Sequence, residues 1–197
     1  METISPGKKN IAVFASGTGS NALNLIMYFK THDGAQVKLV VCNKKDAPVI
    51  QKARGFDVPV VVVNRETFYD EKYMLSVLEN ESIDFIVLAG FLWLIPQFLV
   101  DKYRDRIVNI HPALLPKYGG KGMYGSKVHE TVKQNNETET GITIHYVDES
   151  YDEGDVIFQK AVPINCTLQS TEEIAQKVHA LEYAHYPRVI EQLVQKL

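Results

Sequence analysis

The sequence has few cysteines, little net charge and no long apolar run, and each of these absences excludes a class of protein. The two cysteines, Cys42 and Cys166, lie far apart and form no Cys-x-x-Cys motif. This excludes a disulfide framework and a cysteine-based zinc site, and it is typical of a reducing compartment. Lysine and arginine total 21 against 24 acidic residues. The resulting net charge of −3 excludes a broadly basic nucleic-acid binder, although not a local basic patch.

No stretch of the sequence is typical of a membrane anchor or a targeting signal. The longest apolar segment, residues 85–95, falls far short of the roughly 20 residues that a bilayer requires. The N-terminal residues METISPGKKN lack the uninterrupted apolar run of a signal peptide. We therefore expect a cytoplasmic protein. A chain of 197 residues also buries enough surface to fold as one domain without a metal or a disulfide.

The first half of the chain alternates short apolar runs with amphipathic segments. The runs are rich in β-branched residues and predict strands at residues 11–15, 37–42, 60–63, 85–89 and 107–110. Helices are expected between them at residues 21–30, 48–54, 67–80 and 96–103. Because the runs show no polar alternation, both faces of the sheet should be covered. The pattern predicts an α/β protein with a doubly wound, mostly parallel sheet.

The pattern changes after His111, where a second lobe begins. Its expected parts are a glycine-rich loop at residues 119–126, a helix at 127–134, added strands at 141–147 and 156–163, and an acidic connection at 148–155. A long C-terminal helix should begin at the capping box formed by Ser170 and Glu173, and Pro187 should kink it. No linker separates the halves, so we expect a single domain, residues 1–197, with lobes of about 11–110 and about 111–197.

A glycine-rich turn, SGTGSNA at residues 16–22, follows the first predicted strand and opens a helix. Backbone N–H groups and the helix dipole favour a phosphate at such a turn. The spacing also matches a dinucleotide fingerprint, but no acid that could hold a ribose precedes Asp46 at the end of the second strand. A mononucleotide phosphate fits better, and a turn without a ligand is the alternative. A β-branched residue at Gly19 should crowd the phosphate.

Asn109 and His111 lie at the end of the fifth predicted strand, where ligands of open α/β sheets bind. Strand alternation directs both side chains to one side, so an amide and an imidazole can face one carbonyl. The alternative is that they only cap the strand and make a turn.

The remaining polar residues give weaker signals. The acidic connection is typical of a solvated hairpin, and it lacks the ligand spacing of a calcium-binding EF-hand. The other histidines of the second half lack metal-ligand spacing and are interpreted as surface or core residues: His129, His145, His179 and His185. Covalent catalysis has no candidate nucleophile.

Taken together, these signals resemble the folate-dependent formyltransferases. The resemblance rests on ASGTGSN, VLAGFLWLIP, NIHPALLPKY and HYVDESYDEGDVIFQ, and it extends from about residue 11 to residue 197. It implies a Rossmann-like formyltransferase fold. It also implies transfer of the formyl group of 10-formyltetrahydrofolate, as cosubstrate, to the amine of 5'-phosphoribosylglycinamide in purine biosynthesis. The transfer would be direct, through a tetrahedral intermediate and without a metal.

The same resemblance implies roles for individual residues. Asn109, His111 and Asp152 match the catalytic trio of the family. The residues that match the ribonucleotide side are Gly19, Ser20, Asn21, His179, Ala180, Leu181 and Glu182. The residues that match the folate side are Arg65, Leu92, Trp93, Leu94, Ile95, Asn109, Asp148, Glu149, Ser150, Tyr151 and Asp152.

Two contacts are expected from these roles. Glu182 should accept a hydrogen bond from the nucleophilic amine. The Asp152 carboxylate should lie beside His111 and raise the pKa of that imidazole above that of an isolated histidine.

Three other functions compete with this one. Two are enzymes that use the same donor, a methionyl-tRNA formyltransferase-like enzyme and a deformylase. The third is a catalytically silent nucleotide-binding sensor. The expected partners are small-molecule substrates, with no nucleic acid and no membrane, and the expected state is a monomer or a homodimer.

Overall fold

The computed structural model describes residues 7–197, so part of the N-terminal segment interpreted above lies outside the described residues. These residues form a seven-stranded sheet in the order β3-β2-β1-β4-β5-β6-β7. The strands are β1 (Lys9–Ala15), β2 (Ala35–Cys42), β3 (Val60–Val62), β4 (Phe85–Leu88), β5 (Ile107–His111), β6 (Glu139–Tyr146) and β7 (Val156–Pro163). The first five pair in parallel, whereas β6 and β7 are antiparallel. The predicted mostly parallel sheet with added strands is confirmed.

Helices cover both faces of this sheet. They are α1 (Ser20–Phe29), α2 (Pro48–Arg54), α3 (Arg65–Phe68), α4 (Glu71–Asn80), α5 (Gln97–Lys102), α6 (Ser126–Gln134) and α7 (Thr171–Val194). Alternate residues of β1 enter different cores: Ile11 and Val13 pack with α1, α2 and α7, whereas Ala12 and Phe14 pack with α4 and α5. Because both faces of the sheet are covered at β1 and β4, residues 11–15 and 85–88 are buried and apolar at every position.

The predicted helix at residues 67–80 is wrong, because two helices occupy this segment. Asn64 caps α3, and its side chain accepts the backbone N–H of Thr67. Asp70 then starts α4 by accepting the N–H of Tyr73 at 2.8 Å. The carboxylate of Asp70 satisfies an N–H group that a continuous helix would bond internally, so the chain turns between Phe68 and Glu71.

The long helix α7 begins at the predicted capping box. Ser170 and Glu173 each accept the other's backbone N–H, at 3.1 and 2.7 Å. The helix continues for 24 residues through Pro187, which has no N–H to donate to the carbonyl of Tyr183. That carbonyl instead accepts a hydrogen bond from Asn24 of α1 at 3.1 Å. The proline therefore does not end the helix, because a neighbouring helix satisfies the carbonyl that it leaves free. Among residues 7–197, no helix is both long and apolar enough to cross a membrane.

Tyr186 fixes α7 to the centre of the sheet, and its removal should be measurable. Its hydroxyl is fully buried and donates to the Leu88 carbonyl of β4 at 2.8 Å. We expect Tyr186→Phe to lower the free energy of unfolding by about 1–2 kcal/mol, because a buried hydrogen bond is lost. Chemical denaturation measures this change. Tyr183→Phe is the matched control on the same helix, since the Tyr183 side chain is exposed. Equal effects of the two variants would contradict the anchoring role.

Candidate active site

A cleft of about 740 Å³ opens at the edge where the parallel strands end. Its walls come from the loops after β1, β4 and β5, from the glycine-rich loop before α6, and from α6 and α7. Ligands of open α/β sheets bind at this edge, because the strand order reverses there and leaves a crevice. The location agrees with the prediction made from the glycine-rich turn and from Asn109 and His111.

The glycine-rich turn after β1 forms one end of the cleft. Gly19 has a left-handed conformation (φ 70°) directly before α1, and no side chain caps the first turn of that helix. Ser20 and Asn21 line the cleft, as does Lys44 at the end of β2. Uncapped N–H groups at a helix start, with a lysine in the same cleft, suit an anion such as a phosphate. Lys44 is not among the site residues predicted from the sequence.

Gly19 is needed for packing as well as for its backbone conformation. A Cβ atom at this position would collide with the side chain of Val49 on α2, and the positive φ disfavours other residues. A β-branched residue at Gly19 would therefore disturb the packing of α2, and the expectation that it also crowds a phosphate stays a prediction.

Asn109, His111 and Asp152 lie together at the centre of the cleft. The Nδ1 atom of buried His111 is 3.3 Å from Asp152 Oδ2, and its Nε2 atom is 2.7 Å from the carbonyl of Tyr118. The Nδ2 atom of Asn109 is 3.3 Å from Asp152 Oδ1. The N–H of Gly120 donates to Asp152 Oδ2 at 3.0 Å and ties the glycine-rich loop to this carboxylate. The predicted proximity of His111 and Asp152 is confirmed.

The predicted direction of the His111 pKa is wrong. Burial lowers this pKa, and the opposing effects of the Asp152 charge and the Tyr118 carbonyl do not fully offset it. The net pKa of His111 therefore lies below its ordinary value, because a buried imidazolium loses hydration. Burial alone would raise the pKa of Asp152. The charge of His111 and the hydrogen bond from the Gly120 N–H favour the charged form, and the pKa of this carboxyl is lowered.

His145 is a fourth member of this group and was not predicted from the sequence to belong to the site. It pairs with Asn109 across the antiparallel strands β5 and β6, and it is buried. Its Nδ1 atom lies 2.8 Å from the Tyr146 carbonyl and must carry the proton, so the lone pair of Nε2 accepts the Asn109 amide at 3.1 Å. A polar residue within the apolar run ITIHY was the available signal.

A buried carboxylate forms the wall of the cleft on α7. Glu182 is 4% exposed, and its Oε2 atom accepts hydrogen bonds from Asn21 Nδ2 at 2.9 Å and from His179 Nδ1 at 2.8 Å. The hydrogen bond to Glu182 raises the pKa of His179. Five of the residues expected on the ribonucleotide side line the cleft: Gly19, Ser20, Asn21, His179 and Glu182. Ala180 is exposed and Leu181 packs against the core, so neither belongs to this wall.

The residues expected on the folate side divide between the cleft and its surroundings. Leu92, Asn109, Tyr151 and Asp152 line it. The others lie outside it. Ile95 is in the core, and the Leu94 carbonyl accepts a hydrogen bond from the Tyr69 hydroxyl. The Asp148 carboxylate accepts the backbone N–H of Ser150, and Glu149 lies between these two residues in the chain.

An aromatic cluster extends from the cleft towards Arg65. Phe91 lines the cleft, and its ring centroid lies 6.1 Å from that of Trp93. The Arg65 guanidinium lies 5.1 Å from the centroid of the Trp93 ring, on which Tyr69 also stacks. A flat aromatic molecule that carries a negative charge suits such a surface. Within residues 7–197, no group of three or more His, Cys, Asp and Glu residues is arranged to hold a metal ion.

Comparisons with known proteins agree with this architecture. Residues 9–190 match the profile of the formyl transferase family. A phosphoribosylglycinamide formyltransferase of Bacillus subtilis is 37% identical, over 94% of this chain and 95% of the relative. A chloroplastic phosphoribosylglycinamide formyltransferase of Arabidopsis thaliana is 40% identical over 94% of this chain, which spans only 65% of that relative's length.

Solved structures give the same result. A phosphoribosylglycinamide formyltransferase from Bacillus halodurans superposes with a TM-score of 0.84 at 36% identity, over 95% of this chain and 96% of that one. A glycinamide ribonucleotide transformylase from Geobacillus kaustophilus superposes with a TM-score of 0.85 at 36% identity, over 95% and 99% of the two chains. The match covers the sheet, the cleft and α7 together, and the chain belongs to the formyl transferase family.

Proposed function

We propose that the protein transfers the formyl group of 10-formyltetrahydrofolate to the amine of 5'-phosphoribosylglycinamide, in purine biosynthesis. One observation carries the proposal: the glycine-rich turn, the buried Glu182 carboxylate and the trio Asn109, His111 and Asp152 line one cleft, from which an aromatic surface extends to Arg65. A phosphorylated amine and a flat, anionic formyl donor can therefore meet at the trio. The names of the relatives support formyl transfer to phosphoribosylglycinamide.

In this proposal, Asn109 and His111 stabilise the negative charge that develops on the formyl oxygen when the amine attacks. The Asn109 amide donates one N–H to His145 at 3.1 Å, and its contact with Asp152 is longer, at 3.3 Å. The weaker contact is the one that the formyl oxygen would replace, since hydrogen bonds weaken beyond about 3.2 Å. A donor that is bound more strongly in the transition state than in the ground state lowers the barrier.

His111 would supply a charged donor in the same way. Its Nε2 atom faces the Tyr118 carbonyl, so this N–H exchanges a backbone acceptor for the formyl oxygen when the glycine-rich loop adjusts. Asp152 keeps a negative charge beside the ring and favours the imidazolium that the reaction requires. The same carboxylate would order a water that moves the amine proton to the leaving nitrogen. Holding two substrates together supplies the rest of the acceleration.

We further propose that residues 1–197 form a single domain, that both lobes contribute to the cleft, and that the protein acts on small molecules in the cytoplasm as a monomer or a homodimer. The apposition of Asn21 and Glu182, at 2.9 Å, supports a single unit, because these residues come from opposite ends of the chain.

A folate assay with three acceptors tests the proposed reaction. Purified protein and 10-formyltetrahydrofolate are incubated with 5'-phosphoribosylglycinamide, with initiator methionyl-tRNA, or with water alone, and tetrahydrofolate formation is followed by absorbance. We expect rapid release with the first acceptor only. Release with the tRNA would favour a methionyl-tRNA formyltransferase-like enzyme, and release without an acceptor would favour a deformylase. No release with any acceptor would favour a silent nucleotide-binding sensor.

His145 should act by positioning Asn109. We expect His145→Leu to lower kcat about tenfold, because the loss of an orienting hydrogen bond costs about 1.4 kcal/mol in the barrier. His145→Gln should retain more activity, since its amide oxygen can accept from Asn109. Steady-state kinetics with both substrates measure the effect, and KM should change little. His185→Leu is the matched control, because His185 packs against Phe158 and does not line the cleft. A loss confined to KM would contradict the positioning role.

A further inference from the structure

The buried histidine of α6 has no function in the mechanism above. His129 is 3% exposed and lines the cleft beside α7. Its ring centroid lies 6.1 Å from that of His179, in an edge-to-face arrangement. The Nδ1 atom is completely buried and has no hydrogen-bond partner among residues 7–197. A buried polar atom without a partner lowers the stability of the folded protein, so its presence calls for a function that offsets this cost.

The unpartnered Nδ1 atom determines where the ring carries its proton. A proton on Nδ1 would be a buried N–H with no acceptor, which is rarer in proteins than an unused lone pair. The neutral ring therefore carries its proton on Nε2. Burial and the adjacent charge of His179 lower the pKa of His129, which agrees with a neutral ring. His129 thus has one polar group for the cleft that it lines, an uncharged N–H donor.

We infer that His129 donates this N–H to an oxygen of the ribonucleotide and so helps to select the acceptor substrate. The inference rests on the proposed function. His179 donates to Glu182 Oε2 at 2.8 Å, and no hydrogen bond joins either residue to the His129 ring among residues 7–197. The oxygen belongs either to the ribose or to the phosphate, since both are hydrogen-bond acceptors at this end of the cleft. Because the His129 N–H is neutral, it selects an acceptor oxygen by the position of that oxygen rather than by its charge.

Three substitutions separate a binding role from a structural one. His129→Phe keeps a ring of similar shape and removes both nitrogens. His129→Gln keeps an amide N–H near the place of Nε2, whereas His129→Asn places its amide near Nδ1. The probe is ribose 5-phosphate, and its Kd is measured by calorimetry. We expect the Phe and Asn variants to bind the probe about three- to tenfold more weakly, the loss of one hydrogen bond, and the Gln variant to stay within about twofold of the parent.

Unfolding provides a readout that is independent of binding. His129→Phe removes a buried atom that has no partner, so it should not lower the unfolding midpoint in urea. A lower midpoint for Phe, with unchanged probe binding, would assign His129 a structural role and overturn the inference. Equal weakening in the Phe and Gln variants would also overturn it.

Two further probes identify the oxygen. If His129 contacts the 2-hydroxyl, the Phe variant and the parent should bind 2-deoxyribose 5-phosphate with equal Kd. If it contacts the phosphate, the difference between them should persist with the deoxy probe and with inorganic phosphate. Failure of the parent protein to bind any of these probes would count against the proposed function itself. Normal binding that none of the three variants alters would count only against the role of His129.

Discussion

Asp152→Asn should lower kcat by about 10²- to 10⁴-fold, the range in which a positioned acid or base contributes. The carboxylate has four contacts in the cleft, with His111 and His145 at 3.3 and 3.5 Å, with Asn109 at 3.3 Å, and with the N–H of Gly120 at 3.0 Å. Asparagine keeps one oxygen and can adopt the same positive φ as Asp152. The substitution therefore removes the charge and leaves the loop able to fold.

The pH dependence of this variant has a definite sign. In the proposed mechanism His111 acts while protonated, so activity falls as the pH rises through its pKa. Burial lowers this pKa, and the charge of Asp152 is the largest influence that raises it. Without that charge the pKa falls further, and the alkaline limb of kcat should move to lower pH. His111→Ala should be at least as damaging, and its combination with Asp152→Asn should cost little more, because the two residues act as a unit.

Glu153→Gln is the matched control, since the Glu153 side chain is exposed and follows Asp152 directly. It should leave kcat and the pH profile within twofold of the parent. An unmoved alkaline limb in a folded Asp152→Asn protein would break the coupling to His111. Asp152 would then be better interpreted as a contact of a water or of the folate.

Glu182→Gln should lower kcat/KM for 5'-phosphoribosylglycinamide by about 100-fold and leave KM for the formyl donor unchanged. Both donors that contact Glu182, Asn21 and His179, bind its Oε2 atom. The amide oxygen of glutamine can keep these two contacts. Its NH2 group then takes the place of Oε1, so an acceptor for the substrate amine becomes a donor.

An NMR titration and a control variant test the role of Glu182 further. The hydrogen bond to Glu182 raises the pKa of His179, so the glutamine variant should titrate His179 at lower pH in NMR spectra. Glu172→Gln, an exposed position in the first turn of the same helix, should change neither property. Unchanged kinetics in Glu182→Gln would reduce Glu182 to a partner of Asn21 and His179.

The sequence alone predicted those parts of the fold that short-range physics determines. The β-branched runs gave the parallel strands, and the Ser170 capping box gave the start of α7. The break at Asp70 was missed, because an aspartate within an amphipathic pattern caps a helix only if the chain turns there. The pairing of His145 with Asn109 depends on the register of two antiparallel strands, which no local pattern determines.

The same limit applies to the chemistry of the site. The proximity of His111 and Asp152 followed from the resemblance to the family, but the direction of the His111 pKa did not. The direction in which that pKa shifts depends on how much water the folded chain removes from the imidazole. The burial of Glu182 likewise arises from the packing of α7 against α1. These quantities belong to the tertiary structure.

The carbonyl that Pro187 leaves free has a consequence for how the cleft holds its ligands. Asn21, Asn24 and Tyr28 lie on one face of α1, and each bonds to α7, at Glu182, at the Tyr183 carbonyl and at Glu191. The second of these three hydrogen bonds exists because Pro187 has no N–H to donate to the Tyr183 carbonyl within its own helix. The start of α1 and the Glu182 carboxylate are thus parts of one rigid frame with a fixed span. The protein would therefore lose little conformational freedom on binding a ribonucleotide whose phosphate and amine match this span. A longer or shorter molecule would have to strain the frame.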